Sequence, residues 1–262
     1  MELQVDGKRA FATTGGRSHE PGQEAVVLVH GAGMDRTVWV LQTRYFAHHG
    51  RNVLAVDLPG HGRSEGPLLT SVGDMADWLS RLMDAADIEA ASVVGHSMGS
   101  LIALELCARF PKRVVAAALL STAYPMVVSE ELLSAAKAND HQAIDMIKVW
   151  GHGRDAQLGG HKAPGLWMTG GAERLLEKAS DDVLYTDLCA CNGYRDGLDA
   201  ASRVRCPVLL VLGREDRMTP PRAVRDLADA IPSARTVFLD ACGHMSMIER
   251  PDQVLDALRE AI

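Results

Sequence analysis

At 262 residues, 47% of them hydrophobic, the chain is long enough to bury one large core, and α/β folds of this size commonly form one domain. A formal charge of −7, with no basic stripe and no aromatic-rich binding module, argues against nucleic acid or an anionic membrane as a partner. No apolar run approaches the ~18 residues of a membrane-spanning helix, and Met1 to Lys8 lacks a basic segment leading into an apolar one, so a cytoplasmic protein is expected.

The first expected element is a β-hairpin: Leu3 to Thr13 alternates around Asp6-Gly7, a dipeptide suited to a two-residue turn. A continuous apolar run then predicts a buried strand over Val26–His30, which leaves through His30-Gly31-Ala32-Gly33. A second strand, Val53–Leu58, runs into Asp57-Leu58-Pro59-Gly60-His61-Gly62-Arg63-Ser64, and Val72–Ala86 has a helical pattern. Next comes the strand Ser92–His96, overlapping Gly95-His96-Ser97-Met98-Gly99 and opening into a helix over Met98–Phe110. Strand, G-x-S-x-G and helix together form the context of a nucleophile elbow, in which a tight turn pushes the serine hydroxyl above the sheet. Side chains two residues either side of the serine would collide with that turn, a steric reason for Gly95 and Gly99.

After the strand Val115–Ser121 the rhythm stops. Helical patterns at Ser129–Asn139, His141–Trp150, Gly171–Ser180 and Asp182–Cys191 are joined by glycines, and so long a stretch predicts a small helical cap rather than a bare loop. The strand pattern resumes at Val208–Gly213, followed by Arg214-Glu215-Asp216 and a helix over Pro221–Ile231. A last strand, Thr236–Leu239, leads to Asp240-Ala241-Cys242-Gly243-His244, then a helix over Pro251–Ala261. Continuous apolar strands separated by amphipathic helices indicate a parallel sheet covered on both faces. Ser97, Asp216 and His244 then all leave the C-terminal edge of that sheet, where ligands bind in open α/β folds.

A serine hydroxyl is a weak nucleophile at neutral pH and needs a base, itself oriented by an acid. His244 is the candidate base and Asp216 the candidate acid; Glu215 and Asp240 are rival carboxylates. Acyl transfer also needs donors for a developing oxyanion, for which the backbone N–H groups of Met98 and Ala32 are the candidates. Five cysteines, an odd number, read as free thiols. Neither Cys189-Ala190-Cys191 nor His152 and His161 has partners at ligand spacing, so no metal and no cofactor is expected.

With these features in place the chain resembles the α/β-hydrolase-fold serine hydrolases. The motif after Val53–Leu58, His30-Gly31 followed by Trp39, Gly213-Arg214-Glu215-Asp216 with Pro220, and Gly243-His244 through Pro251 carry the resemblance. It implies an eight-stranded, mostly parallel sheet flanked by helices, with a helical cap inserted after the sixth strand. The core would comprise residues 1–122 and 202–262, and the cap 123–201. It also implies a structural role for His61, and a serine nucleophile excludes the aspartate chemistry of dehalogenases and epoxide hydrolases of this fold. Gly33, Tyr124, Met126, Trp150, Trp167 and Met245 are the expected substrate contacts, with Met146 and Met168 further cap candidates.

The expected function is hydrolysis of carboxylic esters with small to medium, largely apolar groups, the partner being a small-molecule ester-like substrate. Thioesters, lactones, amides and carbon–carbon bonds stay open on the same machinery; the last would need a carboxylate clamp, for which Arg154, Arg174 and Arg195 are available. A ligand receptor with slow turnover is the alternative from another class. The oligomeric state is not readable.

Overall fold

The computed structural model describes residues 1–160 and 166–262. Its strands are β1 (Glu2–Val5), β2 (Lys8–Thr13), β3 (Ala25–Val29), β4 (Asn52–Val56), β5 (Ala91–His96), β6 (Val114–Leu120), β7 (Val208–Gly213) and β8 (Ala234–Leu239). They form one sheet of order β1-β2-β4-β3-β5-β6-β7-β8. Only the β1–β2 and β2–β4 pairings are antiparallel; the rest are parallel. The hairpin turns on Asp6 at φ 53° and Gly7 at φ 74°, setting Val5 opposite Lys8.

The helices are α1 (Val40–His48), α2 (Val72–Ala85), α3 (Met98–Arg109), α4 (Glu130–Lys137), α5 (Gln142–Trp150), α6 (Arg154–Gln157), α7 (Met168–Glu177), α8 (Val183–Gly193), α9 (Gly197–Arg203), α10 (Arg225–Ala230), α11 (Ser246–Glu249) and α12 (Pro251–Arg259). Strands β3 to β5 and β7 are buried along their length. Helices α2, α3, α9 and α10 cover one sheet face, while α1 and α12 contribute Phe46, Val254 and Leu258 to the other. Edge strand β8 shows an exposed Phe238 under the Arg214 guanidinium, 4.8 Å from the ring centre.

Helices α4 to α9 lie in sequence between β6 and β7. α4, α5, α7 and α8 bury Leu132, Ile147, Leu176 and Leu188 in a cluster that continues into the sheet, whereas α9 packs with α3. Two expected boundaries shift. The Pro221–Ile231 segment is a 3-10 turn over Pro221–Val224 followed by α10. α7 starts at Met168, because Gly170 gives room for the Trp167 ring, which any Cβ there would strike.

Candidate active site

Ser97 joins β5 to α3 with φ 53° and ψ −119°, a region costing about 1–3 kcal/mol for a residue with a side chain. The neighbours hold it there. Its N–H donates to the Leu120 carbonyl at 2.9 Å and its carbonyl accepts from Ser100 N–H at 2.8 Å. A Cβ on Gly95 would run into the Gly99 carbonyl, and one on Gly99 into the carbonyls of Val29 and His30. The turn closes only with glycine at both places.

Asp216 and His244 meet where the loops after β7 and β8 leave the sheet. His244 Nδ1 donates to Asp216 Oδ2 at 2.8 Å, with both side chains at 2% exposure or less. The other oxygen, Oδ1, accepts from the N–H groups of Met218 and Thr219 at 2.9 and 2.8 Å, and the Thr219 hydroxyl donates to Oδ2 at 2.6 Å. Burial alone would raise the Asp216 pKa; His244 and the Thr219 hydrogen bonds outweigh it and hold the carboxyl below its ordinary value. The rivals sit elsewhere: Asp240 pairs with Arg214 at 2.6 Å on the surface, and Glu215 accepts from the Arg154 N–H at 2.7 Å.

The histidine loop is gripped from three sides. The His244 carbonyl accepts from His96 Nε2 at 2.9 Å and from the Ser121 hydroxyl at 2.7 Å. Burial and the nearby His244 push the His96 pKa down to about 3, so it is a neutral donor. The N–H groups of His244 and Met245 both donate to the Gly151 carbonyl, at 3.0 and 3.2 Å, on the joint between α5 and α6. Buried Glu249 ties joint to loop: its Oε2 accepts from Gly153 at 2.9 Å and Gly243 at 3.0 Å, and its Oε1 from Met245 at 3.2 Å. Glu249→Ala is expected to cost about 2–6 kcal/mol, 1–3 for each of the Gly153 and Gly243 donors left without an acceptor. Equilibrium unfolding in denaturant measures it; a change under 1 kcal/mol would show the clamp idle.

Ser97 and His244 open on a cavity of about 370 Å³ between the sheet edge and α4, α5 and α8. Ala32 lines it too, and the Met98 N–H lies in the first turn of α3, where helical donors lack intrahelical partners. Of the expected substrate contacts, Met126 and Trp150 line this cavity. Four do not. Gly33 is packed under Leu176 and Leu184. Tyr124 covers Gly197 and donates its hydroxyl to the Arg195 carbonyl. Trp167 is 67% exposed over Gly170, and Met245 is buried in the core. Met146 and Met168 are likewise buried in packing.

Val127, Val128, Leu132, Ile147, Leu188, Cys191 and Met218 complete a mostly apolar wall that the sequence reading does not assign to the pocket. Leu132 and Ile147 fall on the buried sides of α4 and α5, so helical periodicity was the available signal. Arg217 is the one charged side chain lining the cavity among the described residues. Arg174 pairs with Glu177, Arg195 bonds the carbonyls of Asn192 and Tyr194, and Arg154 lines a separate outer groove. His152 is buried with Nδ1 on the Lys148 carbonyl at 2.9 Å, and His161 lies outside the described residues. Cys189 and Cys191 are free.

A family model described as alpha/beta hydrolase fold matches residues 24–251. The chain is 25% identical over 247 residues to (E)-2-((N-methylformamido)methylene)succinate hydrolase of Acinetobacter baylyi, covering 90% of this chain and 89% of that one. It is 29% identical over 256 residues to the pimeloyl-(acyl-carrier protein) methyl ester esterase of Aromatoleum aromaticum, covering 90% and 97%. Among solved structures, the enol-lactonase of Burkholderia xenovorans LB400 superposes with a TM-score of 0.86 at 26% identity, over 99% of this chain and 98% of that one. No helix among the described residues is long and apolar enough to cross a membrane.

Proposed function

The chain belongs to the alpha/beta hydrolase fold family, and we propose that within it this protein is a serine hydrolase of carboxylic esters with small to medium, largely apolar groups. The observation carrying this is the shared cavity: Ser97, held at positive φ, opens on the same apolar space as His244, whose Nδ1–H is bound to buried Asp216. In the proposed reaction His244 Nε2 takes the Ser97 proton as Oγ attacks the acyl carbon, and the carbonyl oxygen gathers charge at the Met98 and Ala32 N–H groups. His244 returns that proton to the departing alcohol. Water, activated by the same imidazole, then cleaves the acyl-enzyme and releases the acid and free Ser97.

No cofactor enters this scheme. A lactone is an ester closed into a ring, so the likeness to an enol-lactonase makes lactones the second class to assay. A cavity of about 370 Å³ lies near the small end of ligand pockets. Among nitrophenyl esters an optimum at about four to eight acyl carbons is therefore expected, with very long chains at least about tenfold slower. Turnover that rises steadily with chain length would contradict the cavity as the acyl site, and turnover unaffected by loss of Ser97 would contradict the reaction.

A further inference from the structure

We infer that Asp187, carried on α8, is a positioning residue for the oxyanion loop: its carboxylate holds Gly33, and the His61 imidazolium supplies the compensating charge. Asp187 is fully buried, and its Oδ2 accepts from the Gly33 N–H and from His61 Nε2, both at 2.8 Å. Gly33 follows Ala32, which lines the cavity beside Ser97. At φ +69°, with Leu176 and Leu184 3.0 Å from where a Cβ would sit, position 33 accepts little but glycine. A helix between β6 and β7 thus fixes the height of the loop that offers the Ala32 donor.

The protonation state of His61 follows from its neighbours. Nδ1 faces the Pro59 carbonyl at 3.1 Å while Nε2 faces Asp187, so two acceptors ask for two protons. The adjacent His30, with ring centres 4.9 Å apart, bonds the Gly31 carbonyl through Nδ1 and accepts from the Leu58 N–H at Nε2, a neutral pattern. Burial and His61 push its pKa down to about 4. The other charges nearby are Asp57, held by Arg36 at 2.6 Å, and Asp35, Arg63 and Lys178 on the rim of a 300 Å³ cavity lined by His61 and Gly33.

Asp187 Oδ1 is buried with no partner among the described residues. A buried ion pair with an unsatisfied oxygen contributes little to stability compared with apolar packing, whereas it fixes a loop in one place. Burial alone would strip the His61 proton; Asp187 outweighs it and raises the pKa above the ordinary value. The pair is therefore complete below about pH 6.5 and is lost as pH rises through the raised value.

This inference rests on the serine-hydrolase proposal, and its test needs no natural substrate. Ser97 Oγ attacks the phosphorus of a nitrophenyl phosphonate as His244 takes its proton; a new P–O bond forms, the P–O bond to nitrophenol breaks to release nitrophenolate, and the phosphonyl oxygen gathers charge at the same donors. The rate constant for this labelling should fall about 100-fold in Asp187→Ala, the scale of a 1 Å misplacement. Asp187→Asn keeps an acceptor for Gly33 and should fall far less at neutral pH. It and His61→Gln should both lose the alkaline decline that the parent protein shows as the pair is lost. Labelling within twofold of the parent in Asp187→Ala, or an unchanged alkaline limb in folded Asp187→Asn, overturns the inference. Ser97→Ala alongside keeps the two proposals apart: labelling that survives there sinks the serine reaction, while Ser97-specific labelling indifferent to Asp187 sinks only this one.

Discussion

Ser97→Ala is expected to lower kcat on the best nitrophenyl ester by about 10⁶-fold, the loss seen when a triad serine is removed, with the melting temperature nearly unchanged. The two halves of that result have separate causes. In the proposed reaction the Ser97 hydroxyl is the group that attacks, and the serine one turn on does not replace it: Ser100 turns its own hydroxyl onto the Ser97 carbonyl at 2.5 Å. The fold is indifferent because the turn is held by main-chain bonds and by Gly95 and Gly99, all of which alanine leaves in place. Both residues carry a Cβ, so the cost of φ 53° is the same before and after. Mass spectrometry after phosphonate treatment checks the first half and thermal unfolding the second. Residual turnover above about one part in a thousand that tracks the protein through purification would place the nucleophile elsewhere.

Asp216→Asn should cost about 10⁴ in kcat, the value found where an asparagine replaces the acid of a serine triad, and the geometry says why. The Oδ1 position receives two backbone N–H donors, from Met218 and Thr219, so only the oxygen of an asparagine amide can occupy it. Its NH₂ must then face His244 Nδ1, which can accept that bond only by giving up its own proton. The remaining proton moves to Nε2, the nitrogen that has to take one from Ser97. A wrong tautomer, rather than a missing contact, is the defect. The substitution also reads out on acid stability. Because the Asp216 pKa is lowered in the folded protein, its stabilisation is present above about pH 4 and lost as pH falls through the lowered value. The variant should therefore lose less stability than the parent over that acid range. Full activity in Asp216→Asn would hand the role to another carboxylate.

What could be read from residue order was whatever rests on unbroken patterns. Strands β3 to β5 and β7 are mostly apolar because they are buried along their length, and the elbow declares itself by two glycines with a steric reason to be there. Helix α1 carries no amphipathic signature because its pattern is inverted: Val40 and Leu41 are 62% and 49% exposed, while Gln42 and Thr43 are buried, bonding the carbonyls of Met247 and Trp39. The pocket is hard to read from sequence for a related reason. Large aromatic and sulfur side chains between β6 and β7 look alike in sequence whether they face substrate or each other, and tertiary packing decides: Trp150 faces the cavity, Trp167 covers a glycine. Asp187 carried no local signal, since its partners lie at positions 33 and 61.

The grip of the Gly151 carbonyl on the His244 loop has an implication for anyone recombining this scaffold. The stretch between β6 and β7 lines the cavity and, about a third of the way along at Gly151, holds the loop of the proposed general base in place. A chimera that trades the whole stretch for a foreign one forfeits the two hydrogen bonds that the His244 and Met245 N–H groups make to Gly151, along with the old cavity wall. Grafts should therefore leave Gly151 to Gly153 untouched and vary the helices on either side.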